Sequence, residues 1–294
     1  MRWSDRGRSG DLEDRRGEGV GGIGGGGGLP FMLLSMVASR FGLGGIVVLL
    51  LVMFLFRGNF LSFIGGGSSS APTSTARPVN DPAEEPKVRF VSFVLDDVQQ
   101  TWEQIFEQRG RQYPHARLVL FRDAIRSGCG VAQSETGPFY CPADQKAYID
   151  LGFYDELKNR FGADGDFAQA YVLAHEIGHH VQDVLGTERK VRQAMENNPG
   201  QKNEYSVRLE LQADCYAGVW GHSTEQRDLI NQADISGALN AAAAIGDDRI
   251  QRMSGREVSP ESFTHGSSQQ RQMWFKRGLE TGSLEACNTF AGSQ

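Results

Sequence analysis

Hydrophobic residues are most concentrated near the N-terminus, where one apolar run stands apart from the rest of the pattern. Residues 41–56 (FGLGGIVVLLLVMFLF) are sixteen uncharged residues, and apolar residues resume at 60–64 after Arg57 and Asn59. A membrane-spanning helix needs about 20 apolar residues. Residues 41–64 reach that length if the Arg57 side chain extends to the membrane interface. The run therefore predicts a single transmembrane anchor over residues 41–64.

Two segments of biased composition flank this anchor. Residues 1–40 are polar and glycine-rich, and residues 65–86 are rich in Gly, Ser, Pro and Thr. Such compositions bury too little apolar surface to offset the entropy lost on ordering. We therefore expect a disordered N-terminal segment over residues 1–40 and a linker over residues 65–86. The folded domain then comprises residues 87–294, which is long enough for one substantial core.

Within residues 87–294, short apolar runs come first and helical periodicity dominates afterwards. Strands are predicted over residues 88–95, 118–121 and 147–150. Helices are predicted over residues 96–109, 153–161, 167–185, 207–221, 234–245 and 268–282. Strands that precede helices, rather than alternating with them, indicate the α+β class. The pattern thus predicts a mostly helical domain with a small sheet.

One predicted helix, over residues 167–185, carries the pattern His-Glu-Ile-Gly-His at residues 175–179. Residues four apart on a helix face the same side, so His175 and His179 can bind one metal ion. Glu176 follows the first ligand and can act as a general base on a water molecule at that metal. The spacing predicts a zinc hydrolase site.

A catalytic zinc ion needs a third protein ligand and one open position. The longer pattern HExxHxxGxxH would supply a third histidine, but Gln182 and Leu185 stand at its last two fixed positions. Glu210 and Asp214 instead share one face of the predicted helix 207–221, which is otherwise largely apolar. We assign Glu210 as the third ligand, and Asp214 as the acceptor of the far N–H of a ligand histidine. A solvated acidic face is the alternative.

The net charge restricts the possible binding partners, and the cysteine content indicates the redox compartment of the protein. The net charge is −6, and the C-terminal part has no basic run, which argues against a nucleic-acid partner. The cysteines Cys129, Cys141, Cys215 and Cys287 lack the CxxC spacing of a cysteine zinc site. Their even number fits an oxidising compartment, with Cys129–Cys141 and Cys215–Cys287 as the expected disulfides. Four cysteines allow three pairings, and four reduced cysteines are the alternative.

The charges that flank the anchor predict its orientation. Six arginines precede the apolar run over residues 41–56, while Arg57 and Arg77 follow it. The excess of positive charge on the cytoplasmic side of membrane proteins then places the N-terminus in the cytoplasm. The domain over residues 87–294 is expected outside the membrane, in agreement with the expected disulfides.

Three other histidines have no metal-binding spacing. His265 precedes the last predicted helix, and its spacing alone gives it no catalytic role. His180 lies about 100° round its helix from His179, so it is expected at the surface or behind the ligands. His222 ends the second metal-binding helix and is expected as a C-terminal cap or a surface residue.

Several motifs in a fixed order carry a family resemblance. Besides the anchor, they lie at residues 1–3, 13–17, 129–130, 137–142, 148–151, 174–182, 210–215 and 264–271. Together they resemble the bacterial YpfJ-type neutral zinc metallopeptidases, over nearly the whole chain apart from the glycine tract and the linker. The resemblance implies a zincin-like domain that binds Zn²⁺ through His175, His179 and Glu210. It also implies that His265 lies near the carbonyl of the scissile peptide bond.

These observations predict a membrane-anchored zinc endopeptidase that acts on proteins or peptides outside the bacterial inner membrane. Glu176 is the expected general base, and residues 41–64 are expected to hold the protein in the lipid bilayer. The alternative is a non-catalytic envelope scaffold or binding protein with a structural zinc ion. A structural site normally closes with a fourth protein ligand, for which His180 and His222 are the candidates.

Overall fold

The computed structural model describes residues 1–18 and 81–291, and both segments belong to one compact unit. The predicted anchor over residues 41–64 lies outside the described residues. None of the helices in the described ranges has the length and apolar character needed to cross a bilayer. The predicted α+β class is confirmed, because the unit is mostly helical and contains a small sheet.

Six strands form a four-stranded sheet and a separate hairpin among the described residues. They are β1 (Leu12–Asp14), β2 (Arg117–Phe121), β3 (Ala124–Ser127), β4 (Gly130–Gln133), β5 (Phe139–Cys141) and β6 (Lys146–Asp150). The sheet has the order β1-β2-β6-β5, with β5 antiparallel to β6 and the other neighbours parallel. Strands β3 and β4 form the hairpin. The strands predicted over residues 118–121 and 147–150 are thereby confirmed as β2 and β6.

Eight α-helices contain most of the described residues. They are α1 (Glu85–Glu107), α2 (Gly152–Asn159), α3 (Asp166–Leu185), α4 (Thr187–Asn197), α5 (Lys202–Gln226), α6 (Gln232–Ala244), α7 (Asp247–Met253) and α8 (Ser268–Thr281). Helix α3 is central, since it packs against α1, α5 and α6. The five helices predicted beyond residue 150 are confirmed as α2, α3, α5, α6 and α8.

Helix α1 shows that the strand predicted over residues 88–95 is wrong. Val88, Val91, Leu95 and Trp102 are buried at spacings of three, four and seven residues, which is the period of one helix face. A short, mostly apolar run suits a buried strand and a buried helix alike. The run continues the helix predicted over the following residues, and α1 includes both.

Residues 1–18 pack against the domain, so the predicted disorder over residues 1–40 is wrong for this part. Strand β1 pairs with β2, with Leu12 opposite Leu118. The Trp3 ring packs against the rings of Phe90 and Phe93. Composition did not predict that residues 1–18 are ordered. Their order comes from one three-residue strand and one aromatic side chain, which contact residues distant along the chain.

The predicted topology, with the N-terminus in the cytoplasm and the domain over residues 87–294 outside the membrane, stays a prediction. The expected disulfides do form, since Cys129 is bonded to Cys141 and Cys215 to Cys287.

Helices α5 and α8 pack so closely that only glycine fits at two positions. A Cβ atom on Gly278 would lie 1.9 Å from the carbonyl oxygen of Cys215. A Cβ atom on Gly218 would lie 2.1 Å from the carbonyl oxygen of Phe275. The disulfide between Cys215 and Cys287 also joins α5 to the segment after α8. These backbone contacts hold α8 in a fixed position against α5.

We expect Gly278→Ala to lower the free energy of unfolding by about 1–3 kcal/mol, because the added methyl group forces the two helices apart. Thermal unfolding of the full chain in detergent measures the change. Gly200→Ala is the matched control, since no atom lies within 4 Å of a Cβ placed there, and it should stay within about 0.5 kcal/mol of the wild type. Equal stability of the two variants would contradict the close approach of α5 and α8.

Candidate metal centre

Two helices bring three metal-binding side chains together. His175 and His179 belong to α3, and Glu210 belongs to α5. The Nε2 atoms of the two histidines are 3.2 Å apart. Glu210 Oε2 lies 3.2 Å from His175 Nε2, and Glu210 Oε1 lies 3.5 Å from His179 Nε2. The structure therefore places the three sequence-predicted ligands around one point.

The spacing of these atoms fits a tetrahedral zinc site. Zinc bonds of about 2.0–2.1 Å at tetrahedral angles separate neighbouring ligand atoms by about 3.3 Å. The observed separations of 3.2 Å, 3.2 Å and 3.5 Å agree with that value. Two histidines and one glutamate also leave the fourth position open, as catalytic zinc sites do.

The glycine inside the metal-binding motif allows the two helices to come this close. A Cβ atom on Gly178 would lie 2.9 Å from the carbonyl oxygen of Ala213 and 3.1 Å from its Cα atom. Any side chain at this position would push α5 away from α3. Since Glu210 stands about one turn before Ala213 on α5, Gly178 sets the distance from the glutamate to the histidines.

Each ligand histidine is oriented through its other ring nitrogen. His175 Nδ1 lies 2.9 Å from Asp214 Oδ1, as the sequence predicted. His179 Nδ1 lies 2.9 Å from Gln182 Oε1. The amide of Gln182 donates in turn to the carbonyl oxygen of Leu209 on α5, at 2.7 Å. Hydrogen bonds of this kind fix the ring and direct Nε2 towards the metal.

Asp214 is fully buried and binds a buried arginine as well as the histidine. The guanidinium of Arg271, on α8, donates from Nε to Asp214 Oδ2 at 2.8 Å and from Nη2 to Oδ1 at 2.9 Å. The Tyr171 hydroxyl donates to Oδ1 at 2.5 Å. Burial alone would raise the pKa of Asp214, but the charges of Arg271 and His175 lower this pKa to about 2. Asp214 is therefore an ionised carboxylate whose charge Arg271 balances.

The charges of the three ligand side chains strongly shift one another's pKa values. Burial would raise the pKa of Glu210, but His179 and His175 hold this pKa well below its usual range. Burial would lower the pKa of His179, but the Glu210 carboxylate raises it to about 9. Glu210 is thus ionised and ready to bind a cation. His179 must release its proton when a metal binds, because only the neutral imidazole is a ligand.

Glu176 lines the same cleft as the three ligands and is only 6% exposed. Burial raises the pKa of its carboxyl group, against the opposing effect of the two ligand histidines. The cleft has a volume of about 590 Å³. Its apolar lining includes Phe139, Phe153, Phe161, Val172, Leu209 and Ile245. The site therefore combines a candidate metal, a carboxylate and room for a sizeable ligand.

His265 also lines this cleft, in the segment that precedes α8. Asp247 holds it in place. The backbone N–H groups of Thr264, His265 and Gly266 donate to Asp247 Oδ2 at 2.7 Å, 2.6 Å and 3.1 Å. Asp247 Oδ1 lies 3.2 Å from His265 Nδ1. This hydrogen bond raises the pKa of His265 despite its partial burial.

The two candidates for a fourth protein ligand are engaged elsewhere. His180 is fully buried, so the surface alternative for it is wrong. Its Nε2 lies 2.7 Å from the carbonyl oxygen of Pro114, and its Nδ1 lies 3.0 Å from the Tyr140 hydroxyl. His222 Nδ1 lies 2.8 Å from the carbonyl oxygen of Leu279. The donors that meet around the metal position within the described ranges are His175, His179 and Glu210.

Sequence reasoning missed four residues that support the site. Gln182 could have been found, because it lies three residues after His179 and so shares its helix face. Arg271 and Tyr171 gave no local signal. Arg271 is 57 residues from Asp214 along the chain. Asp247 likewise acts on a histidine 18 residues away.

The chain is similar to known proteins over nearly its whole length. The family model described as "Putative neutral zinc metallopeptidase" matches residues 1–290. The chain is 48% identical to uncharacterized protein YpfJ of Escherichia coli (strain K12) over 295 residues, which covers 100% of both chains. It is 46% identical over 195 residues to uncharacterized protein Rv2575 of Mycobacterium tuberculosis, or 63% of this chain and 64% of that relative. No solved structure matches the chain significantly.

We expect Arg271→Gln to lower the affinity for zinc by about 10–100-fold, the usual effect of losing a residue that orients a metal ligand. Without the guanidinium, Asp214 is a buried, unbalanced charge and no longer holds His175 in one orientation. Competition with a chelator on the metal-free full chain measures the affinity. Arg277→Gln, at an exposed position on the same helix, is the matched control. An affinity within about twofold of wild type for a folded Arg271→Gln variant would contradict this role.

Proposed function

Because the chain belongs to the neutral zinc metallopeptidase family, we propose that it is a zinc-dependent endopeptidase that hydrolyses peptide bonds. The observation that carries the proposal is the convergence of His175, His179 and Glu210 beside Glu176 in one cleft. Three protein ligands with an open fourth position distinguish a catalytic zinc site from a structural one.

Zinc, when bound there, supplies a Lewis acid that polarises the peptide carbonyl and makes a water molecule acidic enough to react at neutral pH. The Glu176 carboxylate accepts the proton of the attacking water and passes it to the departing amine. The raised pKa of Glu176 supports this double role, because a general base works best with a pKa near the working pH. The apolar side chains that line part of the cleft favour substrates with apolar side chains.

His265 is the proposed donor to the developing oxyanion. Its Nδ1 faces Asp247, so its Nε2 is available to the substrate. Asp247 raises the pKa of His265 and so favours the imidazolium, which carries an N–H on both ring nitrogens. Only a protonated Nε2 can donate a hydrogen bond to the substrate oxygen. Asp247 therefore positions the histidine and keeps it in its donor form.

We further propose attachment to the bacterial inner membrane through residues 41–64, with the metal centre on the extracytoplasmic side. The apolar length of that sequence supports attachment. The two disulfides support the oxidising side. Protein or peptide substrates would then be met in the cell envelope. The alternative scaffold role does not account for Glu176, because a structural zinc site has no need of a base beside its ligands.

Glu176→Gln should retain one zinc ion per chain and lose about 10²–10⁴-fold in peptide hydrolysis, since it removes the proton acceptor and no ligand. Metal analysis and cleavage of a peptide library by the full chain measure both properties. Glu188→Gln makes the same change on another residue that lines the cleft and should behave as wild type. Full hydrolysis by Glu176→Gln would refute the mechanism. A wild type that binds zinc but cleaves no peptide would favour the scaffold.

His265→Leu should lower kcat by about 10²–10³-fold with little change in KM or zinc content, because one donor to the oxyanion is lost. The wild-type rate should also fall at alkaline pH, since His265 must be protonated to donate. The raised pKa moves this loss above the usual titration range of histidine. The alkaline fall caused by His265 should be absent from the variant. An unchanged kcat in His265→Leu would remove the residue from the mechanism.

A further inference from the structure

Residues 1–18 and 81–291 fold together although 62 residues of sequence separate them. We propose that these two segments occupy the same side of the membrane, so that the N-terminus and the metal centre share one compartment and the chain between them does not cross the bilayer only once. This topology does not depend on peptidase activity. It replaces the arrangement in which the N-terminus lies in the cytoplasm and the domain lies outside.

The first support is a set of backbone hydrogen bonds between the two segments. Strand β1 pairs with β2 in parallel, with Glu13 opposite Val119. The pairing extends beyond the strand on both sides. Leu118 N donates to Asp11 O at 2.9 Å, and Arg15 N donates to Leu120 O at 2.8 Å. Strand β1 thus completes one edge of the sheet, as an integral strand rather than a loosely attached tail.

The second support is electrostatic. Arg16 is only 4% exposed. Its guanidinium lies 2.7 Å from Asp14 Oδ2 within its own segment and 2.5 Å from Glu84 Oε2 in the other. Lys146 Nζ lies 2.8 Å from Glu13 Oε2. A buried arginine is tolerated only when acidic partners surround it, and here one of those partners belongs to the distant segment.

The third support is a direct link to the metal-binding helix. Trp3 Nε1 donates to Asp166 Oδ2 at 3.2 Å, and Asp166 is the first residue of α3. The amino group of Met1 lies 2.5 Å from Asp234 Oδ1 on α6, which packs against α3. The N-terminal residues therefore contact and stabilise the helix that carries His175 and His179, directly and through α6.

These contacts are too short to be made across a membrane. Paired strands lie about 5 Å apart, whereas the hydrocarbon core of a bilayer is about 30 Å thick. Arginines that indicated a cytoplasmic N-terminus form ion pairs in this fold. Arg8 pairs with Glu85, and Arg15 pairs with Glu18. The two disulfides belong to residues 81–291, so the shared compartment is the oxidising one.

The test labels the full chain in intact bacterial spheroplasts with a membrane-impermeant maleimide, before and after permeabilisation. One variant carries Ser4→Cys and the other carries Gln193→Cys, and both positions are exposed. We expect both variants to react before permeabilisation. Reaction of both only afterwards would still support a common side, although on the cytoplasmic face. Labelling of one variant before and the other only after permeabilisation would overturn the proposal.

A second measurement tests the contact itself. Glu13→Lys and Lys146→Glu should each lower the Tm of the full chain by about 1–3 °C, and the double variant should recover most of the loss. The same exchange at Lys158 and Asp164, which lie 3.1 Å apart within residues 81–291, is the matched control for an exposed pair. Purely additive losses in the Glu13–Lys146 cycle would mean that β1 does not pair with β2 in the membrane-bound protein, and would overturn the proposal.

Discussion

The organisation of the site depends on one buried negative charge, that of Asp214. An ionised carboxylate without exposure to water is tolerated only when its neighbours satisfy it. Here His175 and Tyr171 from α3 and Arg271 from α8 all contact it, while the carboxylate itself belongs to α5. The interaction therefore joins three helices at the metal position. It also fixes which nitrogen of His175 faces the metal, because the other nitrogen is bound to Asp214.

The second constraint is steric, and it decides how near the ligands can come. Glycine occupies three close contacts between the helices around the site: Gly178 of α3 against α5, and Gly218 of α5 and Gly278 of α8 against each other. The result is a pair of histidine nitrogens 3.2 Å apart and a carboxylate within 3.5 Å of both. Such a cluster is costly without a cation, and a divalent metal offsets the repulsion and the loss of hydration. Close packing and metal binding thus support each other.

The N-terminal segment is distant from the metal centre along the chain but also supports the structure around it. Strand β1 completes the sheet, and Trp3 binds the first residue of α3. Residues 1–18 are therefore a structural part of the unit that holds the metal centre. The family match likewise includes both segments, since it begins at residue 1 and ends at residue 290.

Local periodicity was enough to predict the features that depend on neighbouring residues along the chain. Helical spacing placed His175 and His179 on one face. Glu210 and Asp214 stood out because they are acidic residues on an otherwise apolar helix, and the even number of cysteines indicated disulfides. The main helices and the strands at residues 118–121 and 147–150 followed from the same short-range pattern.

Other features depend on partners that are distant along the chain, and the fold was needed to find them. Arg271 has no local reason to be buried, and its role follows from Asp214, 57 residues earlier. Residues 88–95 form part of a helix because their buried face matches α3 and its neighbours, which the short run could not show. Residues 1–18 look disordered by composition, yet a few contacts with Leu118, Phe90 and Asp166 order them. The physical reason is that composition and periodicity report what a segment prefers alone, whereas long-range packing determines which segments meet.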